Sequence, residues 1–137
     1  MTAEADYLRA ERENILKTID MTEVLLRKEH LSQYEIIALG KLLQDVYTGI
    51  ERVLRFQLES RNIRIKKTEN WHKELLLSAK KRSLISDQQF EKFRDLLLFR
   101  HLEIHGYGFM LSETRLRQLA SDVPAIFRDF LNATAQF

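Results

Sequence analysis

The chain has no cysteine, one proline and four glycines among its 137 residues. Without cysteine there is no disulfide framework and no thiolate chemistry. The scarcity of proline and glycine argues against an all-β fold, which needs many tight turns, and favours long helices. Long apolar runs are also missing. The longest, IIAL and LLLF, fall far short of the roughly 20 residues that cross a bilayer. The opening stretch, MTAEADYLRAERENI, is charged throughout and has no apolar core of the kind a signal peptide carries. A cytoplasmic protein is the simplest expectation.

What remains is a chain 45% hydrophobic and 31% charged, a balance that excludes a disordered protein and suits one domain over residues 1–137. The net charge is only +2, yet it is unevenly spread. Residues 52–82 hold ten basic side chains against three acidic ones, so the rest of the chain carries an acidic excess. A basic segment of this kind is either a polyanion footprint or a solvated helix surface.

Apolar spacing in alternating steps of three and four places four to five helices. The first runs from about Thr2 to Glu29 with Leu8, Ile15, Ile19 and Leu26 on one stripe. Ser32 and Glu35 have the spacing of a capping box and open a second, long helix carrying Ile36, Leu39, Leu43, Val46, Ile50, Val53 and Leu58. The stretch from Ser60 to Asn70 has no stripe and reads as a basic connector. Asn70 is a candidate cap for a short helix, WHKELLLSAKKR, whose terminal cations suit a helix C-terminus. Ser86 or Asp87 opens a fourth, with Phe90, Phe93, Leu97, Arg100 and Ile104 in step. A last helix from Ser112 carries Leu116, Leu119, Val123, Ile126 and Phe130, and Pro124 is expected to kink or restart it. The expected architecture is an all-α antiparallel bundle.

One stretch, FRHLEIHGYGFML, does not fit simple packing. Arg100 stands on the apolar stripe where leucine or phenylalanine belongs, a costly place for a cation without a partner, a substrate anion or a second subunit. The bland account is that it pairs with a carboxylate such as Glu103. His105 lies five residues on, about 140° around a regular helix. Gly106 and Gly108 imply that the helix ends there, with Tyr107 between them.

Arg100, His105 and Tyr107 resemble the Arg-x4-His-x-Tyr signature of the HEPN superfamily, in its HepT-like branch. His101 fits as well, since Asn, Asp or His usually follows the motif arginine. The layout is similar too: two long helices, a WHKELL helix, and the motif at the end of the next. This resemblance implies a HEPN-like homodimer acting as an RNA-cleaving toxin, held in check by an MNT-type minimal nucleotidyltransferase antitoxin. It assigns Arg100 and His105 as the catalytic pair of a metal-independent endoribonuclease with no cofactor, His101 and Glu103 as candidate support, and Tyr107 as the residue that the partner AMPylates. The chemistry is coherent. Histidine titrates near neutrality and can take the 2′-OH proton, and arginine matches phosphate with two parallel hydrogen bonds. AMP on Tyr107 would compete with RNA for Arg100.

Arg61, Arg64, Lys66, Lys67 and His72 are the candidate RNA contacts, although His72 is equally readable as a satisfied surface histidine. His101 and His105 have the i, i+4 spacing of a zinc pair, but the remaining ligands are lacking, so no metal is assigned. Tyr7, Tyr34 and Tyr47 fall on helical stripes and read as packing residues, and Met21 and Met110 as gap-fillers. Trp71 reads as a core or interface anchor. The rival function is a non-catalytic helical adaptor that presents substrate to a nucleotidyltransferase. A coincidental motif would leave a plain bundle.

Overall fold

A computed structural model describes residues 3–104 and 112–134, and of residues 103 and 104 the backbone alone. These residues form six helices: α1 (Ala3–Leu26), α2 (Gln33–Ser60), α3 (Trp71–Lys81), α4 (Asp87–Ile104), α5 (Glu113–Ala120) and α6 (Val123–Thr134). Among the described residues there is no strand, and no helix is long and apolar enough to cross a membrane.

Local chemistry sets most of the boundaries. Ser32 and Glu35 form the expected capping box: the Glu35 N–H donates to Ser32 Oγ at 3.1 Å, and the Ser32 N–H donates to the Glu35 carboxylate at 2.9 Å. Ser86 and Gln89 repeat the arrangement at the start of α4. Helix α2 stops at Asn62, whose φ of 60° is left-handed, and the Ile63 N–H closes back on the Leu58 carbonyl at 2.9 Å. Ser83 ends α3 in the same way, with φ 59° and the Leu84 N–H on the Ala79 carbonyl.

Two expectations need correction. Asn70 precedes α3 but its side chain makes no capping hydrogen bond. The last helix is two helices, broken by a turn at Ser121 and Asp122. Pro124 stands at the second position of α6, where a missing N–H costs nothing, so it restarts the helix rather than kinking it.

Helices α1 and α2 run antiparallel: Glu11 meets Arg52 at 3.6 Å, and Ile15 lies against Gly49. Helix α6 lies antiparallel on α1, since Arg12 bonds Asn132 while Arg128 reaches Asp20 and Glu23. Helix α2 is the spine, packing against α1, α3, α4 and α5. Its stripe is buried as predicted from Leu39 to Leu58, and Phe93, Phe127 and Phe130 meet edge to face inside the core. Each such aromatic pair contributes about 0.5–1.5 kcal/mol beyond its burial. Tyr34 and Met21 depart from the packing expectation: both are exposed, at 84% and 57%. Tyr7 is also largely exposed, and its ring stacks on Phe56.

Helix α5 closes the α1–α2 turn. Helix α1 has no cation in its last turn. Arg117 supplies one, donating to the carbonyls of Leu26 at 3.3 Å and Lys28 at 2.7 Å. Glu113 in turn accepts from the Leu31 N–H at 3.1 Å.

Candidate functional site

The connector between α2 and α3 is extended, and its residues alternate. Ile63 and Ile65 pack against the core while Arg64 and Lys66 face solvent. This anchoring brings the chain back so that α3 starts beside the second half of α2. The indole of Trp71 then meets two cations, with Arg55 at 5.3 Å and Lys67 at 5.7 Å from the ring centre. The next residue, His72, stacks on the same indole with ring centres 3.7 Å apart.

On α2, a second buried row sits beside the predicted stripe: Tyr47, Glu51, Leu54 and Leu58, at steps of four, three and four. Glu51 is an acid in the core, 4% exposed. Its carboxylate gathers groups from three helices. Oε1 accepts from the Arg100 guanidinium on α4 at 3.0 Å. Oε2 accepts from the Tyr47 hydroxyl, one turn back on α2, at 2.8 Å, and meets Nδ1 of His72 on α3 at 2.5 Å. An ionised carboxylate can only accept, so the His72 nitrogen that meets it, Nδ1, is the one that donates, and Nε2 is the ring nitrogen turned to other partners. Burial, and then the charge of Glu51, push the Tyr47 phenol far above its ordinary range, which keeps it a donor.

This arrangement accounts for the misplaced arginine. Arg100 is on the apolar stripe because a buried carboxylate meets it there, 49 residues away in sequence. Its side chain is 24% exposed against 5% for Glu51, so the guanidinium lies at the rim and the acid beneath it. The bond to Glu51 uses one of the five N–H donors of the guanidinium.

Of this network His72 borders a cleft of about 440 Å³ between the start of α3 and α4, with Lys73, Asp95, Leu98 and His101 also on its walls. The structure thus brings together three of the sequence-derived candidates: Arg100, His72 and His101. His72 is a half-buried partner of Glu51 as well as a cleft residue, so neither sequence reading described it fully. Arg61, Arg64, Lys66 and Lys67 are exposed on the connector, and Lys67 ties it to Trp71. The Glu103 side chain, His105, Tyr107 and Met110 lie outside the described residues. Among the described residues, no group of three or more His, Cys, Asp or Glu is placed to hold a metal ion.

Glu51 and the polar role of Tyr47 were missed from sequence. The usable signal was an acid one turn after a tyrosine in a row that otherwise continues as leucines. No curated protein and no protein of solved structure matches the chain. The family model of the HepT-like proteins matches residues 38–137, from the second turn of α2 onward and across the whole Glu51 network, and the chain belongs to that family.

Proposed function

We propose that this protein is the toxin of a HEPN/MNT toxin–antitoxin pair, a homodimeric, metal-independent endoribonuclease of the cytoplasm. The observation that carries the reading is partly exposed Arg100 held by buried Glu51, with His72 on the other oxygen of the same carboxylate, within an Arg-x4-His-x-Tyr sequence. An arginine fixed on one side by a carboxylate presents its remaining donors as a rigid fork, the geometry that phosphate takes. Arg100 neutralises charge on the pentacoordinate phosphorus, and His105 serves as an acid–base group of the cleavage. The products are a 2′,3′-cyclic phosphate and a free 5′-hydroxyl. Exposed Arg61, Arg64, Lys66 and Lys67 supply sequence-independent phosphate contacts along the connector. Tyr107, two residues beyond His105, is the acceptor of AMP from the MNT partner, and the added phosphate occupies Arg100.

The test is cleavage of single-stranded RNA by the purified protein in excess chelator, with end-group analysis. Arg100→Ala and His105→Ala are expected to lose cleavage by at least 100-fold while staying folded. Co-expression with the nucleotidyltransferase should add whole AMP units to the wild type and none to Tyr107→Phe. Full cleavage by both site variants, or AMP on Tyr107→Phe, refutes the corresponding assignment.

A further inference from the structure

The Glu51 network contains an imidazole that the proposed reaction does not yet use. His72 lies on the same carboxylate as Arg100, on the other oxygen: Arg100 on Oε1, His72 Nδ1 on Oε2. A phosphate gripped by the guanidinium is therefore within reach of the imidazole. The ring is held on two sides, by Glu51 at Nδ1 and by the Trp71 indole on its face, and it borders the cleft with 29% of the side chain exposed. A buried carboxylate that accepts a hydrogen bond from Nδ1–H is the device by which an imidazole is kept in the tautomer whose Nε2 is a base. A histidine needed only to satisfy Glu51 would be redundant, since that acid already has Arg100 for charge and Tyr47 for a second donor.

Resting on the endoribonuclease reading above, we infer that His72 is a catalytic residue of the same chain, the general base that removes the 2′-OH proton of a nucleotide seated in the α3–α4 cleft. Nε2 takes the 2′-OH proton, the 2′-oxygen forms its bond to phosphorus, and the bond from phosphorus to the 5′-oxygen breaks. The 5′-oxygen leaves with a proton from solvent, and solvent takes the proton back from His72. Each protomer then carries a base of its own outside the Arg-x4-His-x-Tyr motif. Glu51 is a positioning residue that acts through His72 and Arg100.

Other ionisable groups surround the imidazole. Glu69 and Lys73 flank it on the approach to α3 and on α3 itself, and Arg94, Asp95 and His101 face it across the cleft from α4. From α2 the facing groups are Glu51 and Tyr47.

The decisive variant is His72→Asn, whose amide N–H stands where Nδ1–H stood and still serves Glu51, while Nε2 is deleted. The assay is wild type against variant on a single-stranded RNA of mixed sequence, across pH 5–9, with RNA affinity and Tm measured alongside. The expectation is a loss in kcat/KM of about 100- to 10,000-fold, the range for removal of a general base. RNA affinity should hold within about twofold, and the acid limb of the kcat/KM profile should flatten. A substrate with sulfur in place of the 5′-oxygen needs no general acid. It should leave His72→Asn slow. Rescue of His72→Asn by that substrate makes His72 the acid and overturns the assignment. An unchanged rate and pH profile, with the wild type cutting RNA, also overturns it and leaves the endoribonuclease reading intact. If the wild type cuts no RNA at any pH, both fall together. Should His72→Asn not fold, His72→Gln is read by the same criteria.

Discussion

Replacing Glu51 separates what the network does for the fold from what it does for the site. In Glu51→Ala the Tyr47 hydroxyl, fully buried, loses its acceptor, and Arg100 loses the carboxylate it pairs with at a position three quarters covered. A stranded buried hydroxyl costs about 1–3 kcal/mol. Breaking a fully buried ion pair costs about 3–5 kcal/mol, and because Arg100 reaches solvent about half of that applies. The sum is about 2.5–5.5 kcal/mol. Unfolding entropy near 2.1 cal/mol/K per residue gives a chain of this size about 3.5 °C per kcal/mol, so Tm should fall by about 9–19 °C. Glu51→Gln keeps the volume and an acceptor for Arg100 and should cost only about 1–2 kcal/mol, since a charged hydrogen bond becomes a neutral one. Its amide N–H would meet Nδ1 of His72 as a donor, however, driving the imidazole proton to Nε2 and removing the base. The amide variant should therefore be folded but nearly inactive. Thermal melts and RNA cleavage of both variants test this. A Tm for Glu51→Ala within about 3 °C of wild type refutes the burial argument, and wild-type cleavage by Glu51→Gln refutes the coupling of carboxylate to base.

Gly49→Ala would set its Cβ 2.6 Å from Ile15 Cγ1 and 3.0 Å from Cδ1, in a β-branched side chain that is 2% exposed. Overpacking of about 1–3 kcal/mol outweighs a gain in helix propensity of about 1 kcal/mol, so Tm should drop, and a rise would refute the close approach of α1 and α2. The Glu23 carboxyl is held below its ordinary range, chiefly by the hydrogen bond from Arg128. A depressed carboxylate contributes stability that is present above its unfolded value and lost as pH falls through the folded one. Arg128→Ala should therefore lower Tm at pH 7, with the gap to the wild type closing as pH falls below the ordinary carboxylate range, whereas a gap that does not narrow in acid places the effect in packing. On the endoribonuclease reading, replacing Arg64, Lys66 and Lys67 together should flatten the salt dependence of RNA binding by about 2 in log–log slope, at about 0.7 per single-strand phosphate contact. An unchanged slope makes the connector a solvated surface.

The helices were legible because their signals are local. A capping box spans three residues, and an apolar stripe repeats every three or four. Ser32 and Glu35 behave as their spacing predicts, and so do the leucines and isoleucines of α2. Arg100 was legible as a problem, since a cation on a buried stripe demands an anion. The answer was not legible: Glu51 is one of 20 acids, and choosing it requires knowing that α2 and α4 cross with those residues in register. Glu103, the nearby suggestion, was favoured only by its place in the sequence. Asn70 shows the converse limit, because a good capping residue in the right place makes no cap when its backbone is turned to φ −110°, ψ 26°. The two-helix ending was half visible. Pro124 marked the restart, but the apolar steps from Leu116 to Phe130 run through the turn without a break.

The cap that Arg117 places on α1 also has a bearing on how the chain is made. The carbonyl it serves belongs to Leu26, 91 residues upstream. At translation rates of about 5–20 residues per second, roughly 5–20 seconds separate the appearance of that carbonyl from the arrival of its donor. During this interval the α1–α2 hairpin exists on the ribosome with its tip open to water, and the Leu31 N–H waits equally long for Glu113. Helices α2, α3 and α4, which bring Tyr47, Glu51, His72 and Arg100 together, are all synthesised first. A nascent chain halted before α5 would thus hold every member of that network on a hairpin whose end still frays.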